Sequence, residues 1–331
     1  MDYQVSAYKN DIVFIEVSNG NNLKATFSNF GAGVYKLKYK EMPLILEIED
    51  KEKWLYCPQF YGKTLARVAG RIRCNGEIDG ETYSLKETMA GYCLHGGEIN
   101  SLSFKPWKYE VKEFKNRIEV IFSINSRVNE NGFPGNAKLK VIYQLFANDN
   151  FKIVYKGSTS TKTLLNLSNH NYYNLFNSKD VSDYTLKINA SKYGVIDDTT
   201  FITGTDDVPS YLDFRHASKL NPKLSYIEKG VYSNTIDHTF IFDEVILNKP
   251  QVILKNNECK ISLYTDYPAI NIFCDNFKTP IKFTQFNEVD TSRRALALEP
   301  QLYNLDIDSL KIRKGDKYKH FILLKIKDLR K

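Results

Sequence analysis

Hydrophobic and polar residues alternate along most of this chain with a period of two. In the run 137–145, Ala137, Leu139, Val141, Tyr143 and Leu145 fall on one side, and Lys138, Lys140 and Gln144 fall on the other. Successive side chains of a strand point to opposite faces, so this pattern predicts a half-buried strand. Phe151-Lys-Ile-Val-Tyr155 resumes it after Asn148-Asp-Asn150, and the two runs predict a hairpin. The segment 77–85 predicts a second hairpin that turns at Asp79-Gly80, because a type I′ turn needs positive φ at both central positions. Further strands are predicted at 118–124, 261–264 and 321–326. Helical turns are predicted only near Leu65–Val68 and Ser218–Leu220. Strands do not alternate with long amphipathic helices, which argues against a parallel sheet. No linker rich in Pro, Gly or Ser divides the chain, and no repeat of fixed period occurs. The expectation is an all-β fold, one large antiparallel β-sandwich that takes residues 1–331 as a single domain.

Composition narrows the function classes. With 331 residues, 42% of them hydrophobic and 26% charged, the chain is ordinary globular material, which excludes disordered and collagen-like readings. It is long enough to bury a large core without disulfide or metal staples. The five cysteines are odd in number and form no CxxC, which fits a reducing compartment. The N-terminus has no basic stretch followed by an apolar one, so no secretory leader is predicted and a cytoplasmic location is expected. No apolar run approaches the roughly 18 residues of a membrane span, so no membrane partner is expected. The net charge of +7 raises the question of nucleic acid. However, the 46 basic residues are interspersed with 39 acidic ones, and the densest basic stretch, 311–320, reads as a turn leading into a strand. No recognition module accompanies it, so a solvated surface is the favoured reading and no nucleic-acid partner is expected. Tyrosine is abundant, at 22 residues, and tyrosine is common where sugars or peptides bind.

The familiar catalytic motifs fail. Gly31-Ala-Gly33 lacks a third glycine and lies between strands, so it is a turn rather than a dinucleotide loop. The five histidines lie far apart in sequence without metal-ligand spacing, so neither metal nor cofactor is expected. What remains is a set of polar residues in apolar or glycine-rich settings. His95 sits in Cys93-Leu-His-Gly-Gly97, where two glycines let backbone approach a bound molecule; a histidine in a loop corner is the plainer reading. Around His170, asparagines at 166, 169, 171 and 174 stand where a strand would carry apolar residues. They form either a polar network facing a cleft or a polar face in water. Glu299 ends the apolar run Ala295-Leu-Ala-Leu298, where burial would raise its pKa and make it a better base near neutrality. A strand-end glutamate reaching water is the alternative. Arg71 and Arg73 read singly as surface arginines, and Asp237 as a turn cap.

Taken together these residues resemble one family, the aldose 1-epimerases (galactose mutarotases), over nearly the whole chain and in the family's order. The resemblance is carried by Asn29-Phe-Gly-Ala-Gly33, Val68-Ala-Gly-Arg-Ile72, Leu94-His-Gly-Gly97, Asn131-Gly-Phe-Pro-Gly135, Asn169-His-Asn-Tyr-Tyr-Asn174, Asp237-His238 and Leu298-Glu-Pro-Gln301. It implies the galactose mutarotase-like supersandwich and the interconversion of α and β anomers of free hexoses such as galactose and glucose, with no cofactor. Carried over, Glu299 is the base at the anomeric hydroxyl and His170 the acid at the ring oxygen. His95 would hydrogen-bond near that oxygen, and Arg71 and Asp237 would hold sugar hydroxyls, with Asn271 a weaker candidate. Three positions depart from the family's usual pattern, namely Gly70, Asn271 and Pro300, where Asn, Gln and Thr are common. They bear on sugar preference more than on the chemistry, and the resemblance implies nothing about oligomeric state. The competing readings are a hexose-phosphate epimerase using Arg73, Arg293 or Arg294, a non-catalytic carbohydrate-binding sandwich, and a glycoside hydrolase using Asp237 with Glu299 as its carboxylate pair.

Overall fold

The computed structural model describes residues 1–227, 235–277, 279–286 and 293–330. Strand makes up 49% and helix 8%, the balance that the two-residue period predicts. Three antiparallel sheets carry the fold. The first is an N-terminal meander of five strands, Asp2–Ala7, Val13–Ser18, Leu23–Ser28, Gly33–Tyr39 and Met42–Pro43. The second has nine strands in the spatial order Lys108–Phe114, Arg117–Ser126, Ala137–Phe146, Asn150–Ser158, Tyr318–Asp328, Cys259–Thr265, Val252–Lys255, Thr185–Ile188 and Ser218–Lys219. The third has six: Tyr172–Tyr173, Leu296–Gln301, Ala269–Cys274, Asp237–Ile241, Lys192–Ile196 and Ile202–Asp207. The last long strand of the chain lies in the middle of the nine-stranded sheet, between Asn150–Ser158 and Cys259–Thr265, and so joins early and late segments by ladder hydrogen bonds.

The inner face of the large sheet is the face read from the sequence. Leu139, Val141, Tyr143 and Leu145 are buried, as are Phe151, Ile153 and Tyr155 on the paired strand. Each such side chain contributes about 1.5–3 kcal/mol on burial. They share one core with Ile15, Val17 and Leu37 of the first sheet and with Ile270, Ile272 and Leu298 of the third. The Asp79-Gly80 hairpin forms with φ of 50° and 79° at its two central residues. Gly31 is in the left-handed region (φ 69°), and a Cβ there would lie 2.0 Å from the Ser103 carbonyl oxygen, so only glycine fits this turn.

Two local expectations change. Residues Leu65–Val68 form no helical turn. Thr64–Leu65 pairs with Ser168–Asn169, Val68 bridges to Asn166, and packing from both sides overrides local propensity. Ser218–Lys219 is a short strand paired with Thr185 and Leu186, and the helix Leu220–Ile227 begins only at its end. Among the described residues no helix is long and apolar enough to cross a membrane. All five cysteines are buried free thiols.

The third sheet positions the site. Its strands bury Ile270, Ile272, Leu296 and Leu298 in the shared core. Strand alternation then throws Asp237, Thr239, Asn271, Phe273, Glu299 and Gln301 to the opposite face.

Candidate active site

That opposite face floors an open cleft, the kind of concave surface in which small molecules bind. All six residues singled out from the sequence line it: Arg71, His95, His170, Asp237, Asn271 and Glu299. One wall is the hairpin of strands Lys192–Ile196 and Ile202–Asp207, which presents Ile196, Thr200 and Ile202. It is anchored by Phe201 stacked on Tyr92 at 4.2 Å and by the Tyr303 hydroxyl donating to the Gly204 carbonyl.

His170 and Glu299 face each other, Nε2 to Oε1 at 3.4 Å, and both are buried. Their strands reach this point by different routes. Glu299 lies on Leu296–Gln301, the second strand of the third sheet, whereas His170 sits in the short gap between Ser168–Asn169 and Tyr172–Tyr173. Its backbone there is held on both sides, donating to the Lys63 carbonyl and accepting from the Gly62 N–H. The ring lies between Phe60 (6.2 Å, near-parallel) and Tyr172 (4.8 Å). Phe60 itself has φ 59°, uncommon for a bulky residue, and its ring also meets His95 edge-on.

Burial shifts the two groups in opposite directions. Glu299 is pushed up to about 8, first by desolvation and then by the negative charge of Asp237, against the Asn271 hydrogen bond and the Arg71 charge. His170 is pushed down to about 4 by desolvation, partly opposed by Asp237. These shifts invert the usual order of proton affinity, so near neutral pH the proton rests on the carboxyl group. His95 is also held neutral, well below its usual range, by burial and by the neighbouring His170 and Arg71 charges. Its Nδ1 accepts the Gly70 N–H at 3.1 Å, so the neutral ring carries its proton on Nε2 as a donor.

The remaining polar residues form a chain across three strands. The Thr239 hydroxyl donates to Asn271 Oδ1 at 3.1 Å. That fixes the amide, so that Asn271 Nδ2 donates to Asp237 Oδ1 at 3.1 Å, and Arg71 donates to Asp237 Oδ2 at 3.4 Å. Asp237 therefore caps no turn; it is a strand residue held from two sides. Arg71 keeps its buried Nε without a partner, and Glu299 likewise keeps Oε2.

The asparagines around His170 are buried, but they do not face the cleft. Asn166 bonds the Leu302 carbonyl and Asn304, and Asn174 bonds the carbonyls of Ser178 and Arg294. Asn166 and Asn174 thus satisfy backbone groups where the strands are too short to do so, whereas both side-chain amide atoms of Asn171 are buried without a hydrogen-bond partner. Of the arginines weighed for a phosphate, Arg294 is buried against Asp275 at 2.9 Å and Arg73 packs on Phe201, and none of Arg73, Arg293 or Arg294 lines the cleft.

Distance in sequence does not keep possible metal ligands apart. His95, His170 and Glu299 each bring a ligand atom within 4.8 Å of the others. The donor chemistry argues against an ion, because His95 spends the Nδ1 lone pair on Gly70 and offers a proton, not a lone pair, at Nε2. Phe60, Thr239 and Gln301 are cleft residues that the sequence reading did not assign. Two of them carry a usable signal: Thr239 follows Asp237, and Gln301 follows Glu299, by the two residues that put strand neighbours on one face.

A buried carboxyl–imidazole pair on the floor of a cleft, flanked by Arg71, Asp237 and Asn271, has the make-up of a proton-transfer site for a small molecule. The aldose 1-epimerase family profile matches residues 14–325, and the chain belongs to this family of isomerases. It is 28% identical over 301 residues to the aldose 1-epimerase of Haemophilus influenzae, covering 87% of this chain and 85% of that one. It is 26% identical over 293 residues to the galactose mutarotase of Rattus norvegicus, covering 85% and 83%. Among solved structures, the GalM/aldose epimerase homologue of C. elegans superposes with a TM-score of 0.86 at 26% identity, over 96% of this chain and 99% of that one. The galactose 1-epimerase of Lactobacillus acidophilus shares the fold, with a TM-score of 0.87 at 22% identity and 99% coverage of both chains.

Proposed function

We propose that the cleft binds a free aldohexose such as galactose or glucose and interconverts its α and β anomers. The observation that carries this reading is the buried His170–Glu299 pair, 3.4 Å apart on the cleft floor. Glu299 takes the proton of the anomeric hydroxyl while His170 gives one to the ring oxygen, and the bond between the ring oxygen and the anomeric carbon breaks to give the aldehyde. Rotation next to the aldehyde exposes its other face, and the reverse transfers close the ring. The two oxygens share one carbon, so two groups this close can serve both. Protons and electrons balance within the sugar and the pair, so the reaction needs no metal or other cofactor. His95 Nε2–H donates near the ring oxygen, and Arg71, Asp237 and Asn271 hold hydroxyls.

Charge supports a free sugar over a sugar phosphate. Among the described residues the cleft carries Arg71 alone of the arginines and lysines, and Arg71 is paired with Asp237. A phosphate dianion would find no unpaired cation among them. A non-catalytic sugar binder has no use for a carboxyl pushed to about 8 beside an imidazole pushed to about 4. The reading includes one domain over residues 1–331, supported by the central place of the last long strand, and a cytoplasmic setting, supported by five buried thiols. Several surface arginines pair with acids, as Arg313 does with Asp79 and Arg215 with Asp213, which favours a solvated surface over a nucleic-acid interface.

Polarimetry or NMR on freshly dissolved α-glucose and α-galactose tests the function, with the 6-phosphates as comparators. Equilibration well above the spontaneous rate is expected for the free sugars. A preference for the phosphates would favour the phosphate reading, and binding without acceleration the non-catalytic one. Thr239 supplies a finer test. Thr239→Val frees the Asn271 amide to turn away from the carboxylates, and the loss of one such hydrogen bond should lower kcat roughly 2- to 10-fold. It should also move the basic limb of the pH profile upward, because the ionised Glu299 loses a donor; Thr239→Ser should restore both. An unchanged pH profile in the valine variant would remove Thr239 from this role.

A further inference from the structure

The geometry points to Gln301 as a specificity-determining residue that reads a secondary hydroxyl on the far side of the sugar ring, at C3 or C4. This inference rests on the anomerase reading above. Gln301 is 1% exposed, lines the cleft, and holds its Oε1 buried without a hydrogen-bond partner. A buried amide oxygen left unpaired is uncommon and costs stability, so an unpaired one on a residue that lines a ligand cleft marks a place for a ligand donor.

Its neighbours show why Gln301, rather than they, is free. Gly70, Gln301 and Asn304 form one corner of the cleft. A Cβ on Gly70 would stand 2.5 Å from Asn304 Nδ2 and 3.4 Å from Gln301 Oε1, so Gly70 (φ 74°) leaves room for both amides. Asn304 is fully spent on the framework. Its Oδ1 accepts from Asn166 at 2.6 Å, and its Nδ2 donates to the Ala69 carbonyl at 2.7 Å. Asn166 is spent as well, its Oδ1 accepting the Leu302 N–H at 2.8 Å. Gln301 is the amide of this corner whose oxygen accepts no hydrogen bond.

Position then selects the hydroxyl. Gln301 lies two residues beyond Glu299 on the same face of one strand, about 7 Å along it. With Glu299 at the anomeric hydroxyl, that step spans the ring and reaches its opposite side. Glucose and galactose differ there, at C4.

The experiment compares kcat/KM for the parent sugar and its 2-, 3-, 4- and 6-deoxy forms, in the wild type and in Gln301→Leu. The substitution should lower the parent sugar roughly 10- to 100-fold, as expected when a buried hydroxyl loses its partner. It should leave one of the 3-deoxy or 4-deoxy sugars nearly unchanged, and the wild type should already discriminate against that same sugar by a similar factor. Equal losses for every sugar, no loss, or selective sparing of the 2-deoxy or 6-deoxy form would overturn the assignment. Gln301→Met provides the same comparison if the leucine variant does not fold. Should the wild type bind these sugars without anomerising them, the function reading falls, while the same series measured as dissociation constants still decides the Gln301 contact.

Discussion

Glu299→Gln is expected to lower kcat by about 10²–10⁴, the usual cost of losing a general base, while leaving sugar affinity and thermal stability close to those of the wild type. The reason lies in the state of the carboxyl. Burial and Asp237 push it up to about 8, so at neutral pH the unliganded site already holds a neutral, protonated Glu299. Glutamine has the same shape and is also neutral. It adds no burial cost and leaves the Asn271–Asp237–Arg71 chain in place. What it removes is the ability to accept the anomeric proton. Progress curves by polarimetry, corrected for spontaneous mutarotation, give kcat, and calorimetric titration gives affinity. Near-normal turnover would show that the base lies elsewhere, with family membership and fold untouched. Intact binding with turnover lost is the pattern that separates a base from a binding residue such as Arg71.

The parts legible in the sequence were those governed by local periodicity. The 137–145 run places its apolar face in the core because a strand has only two faces, and Asp79-Gly80 turns because few dipeptides take positive φ twice. The illegible parts depend on residues distant in the chain. Leu65–Val68 looks like a helical turn until Ser168–Asn169 and Asn166 pair with it. The asparagines near His170 do mark an unusual site, but their composition could not reveal that Asn166 and Asn174 close off backbone groups of interrupted strands instead of meeting a ligand. His95, His170 and Glu299 are 75 and 129 residues apart along the chain, from 95 to 170 and from 170 to 299, yet they meet within 4.8 Å. Their assembly was readable only through the family's ordered motifs. The upward push on Glu299 was readable from its apolar run, but the inversion was not, since it also needs the complete burial of His170.

That inversion sets the second large effect. Two groups with ordinary values, about 4.3 for Glu and 6.5 for His, would give a pH optimum that ends near 6.5. Here the pair titrates as a unit, with the imidazole pushed to about 4 and the carboxyl to about 8. Below about 4 both groups are protonated, so no base remains. Above about 8 the last proton leaves, so no acid remains. Between these limits the pair holds one proton, and the productive arrangement needs it moved across the 3.4 Å gap from Glu299 to His170. The fraction so arranged lowers kcat but does not change with pH, so the plateau of kcat/KM should extend to about pH 8. His170→Asn should lower kcat about 10²–10⁴-fold through loss of the acid, and it should also change the sign of the basic limb. With no acid left to deprotonate, the residual rate should rise with pH as Glu299 ionises, where the wild-type rate falls. A wild-type decline centred near pH 6.5 would mean that the imidazole, not the carboxyl, holds the shared proton. A residual rate in the asparagine variant that still falls above pH 8 would remove His170 from the pair.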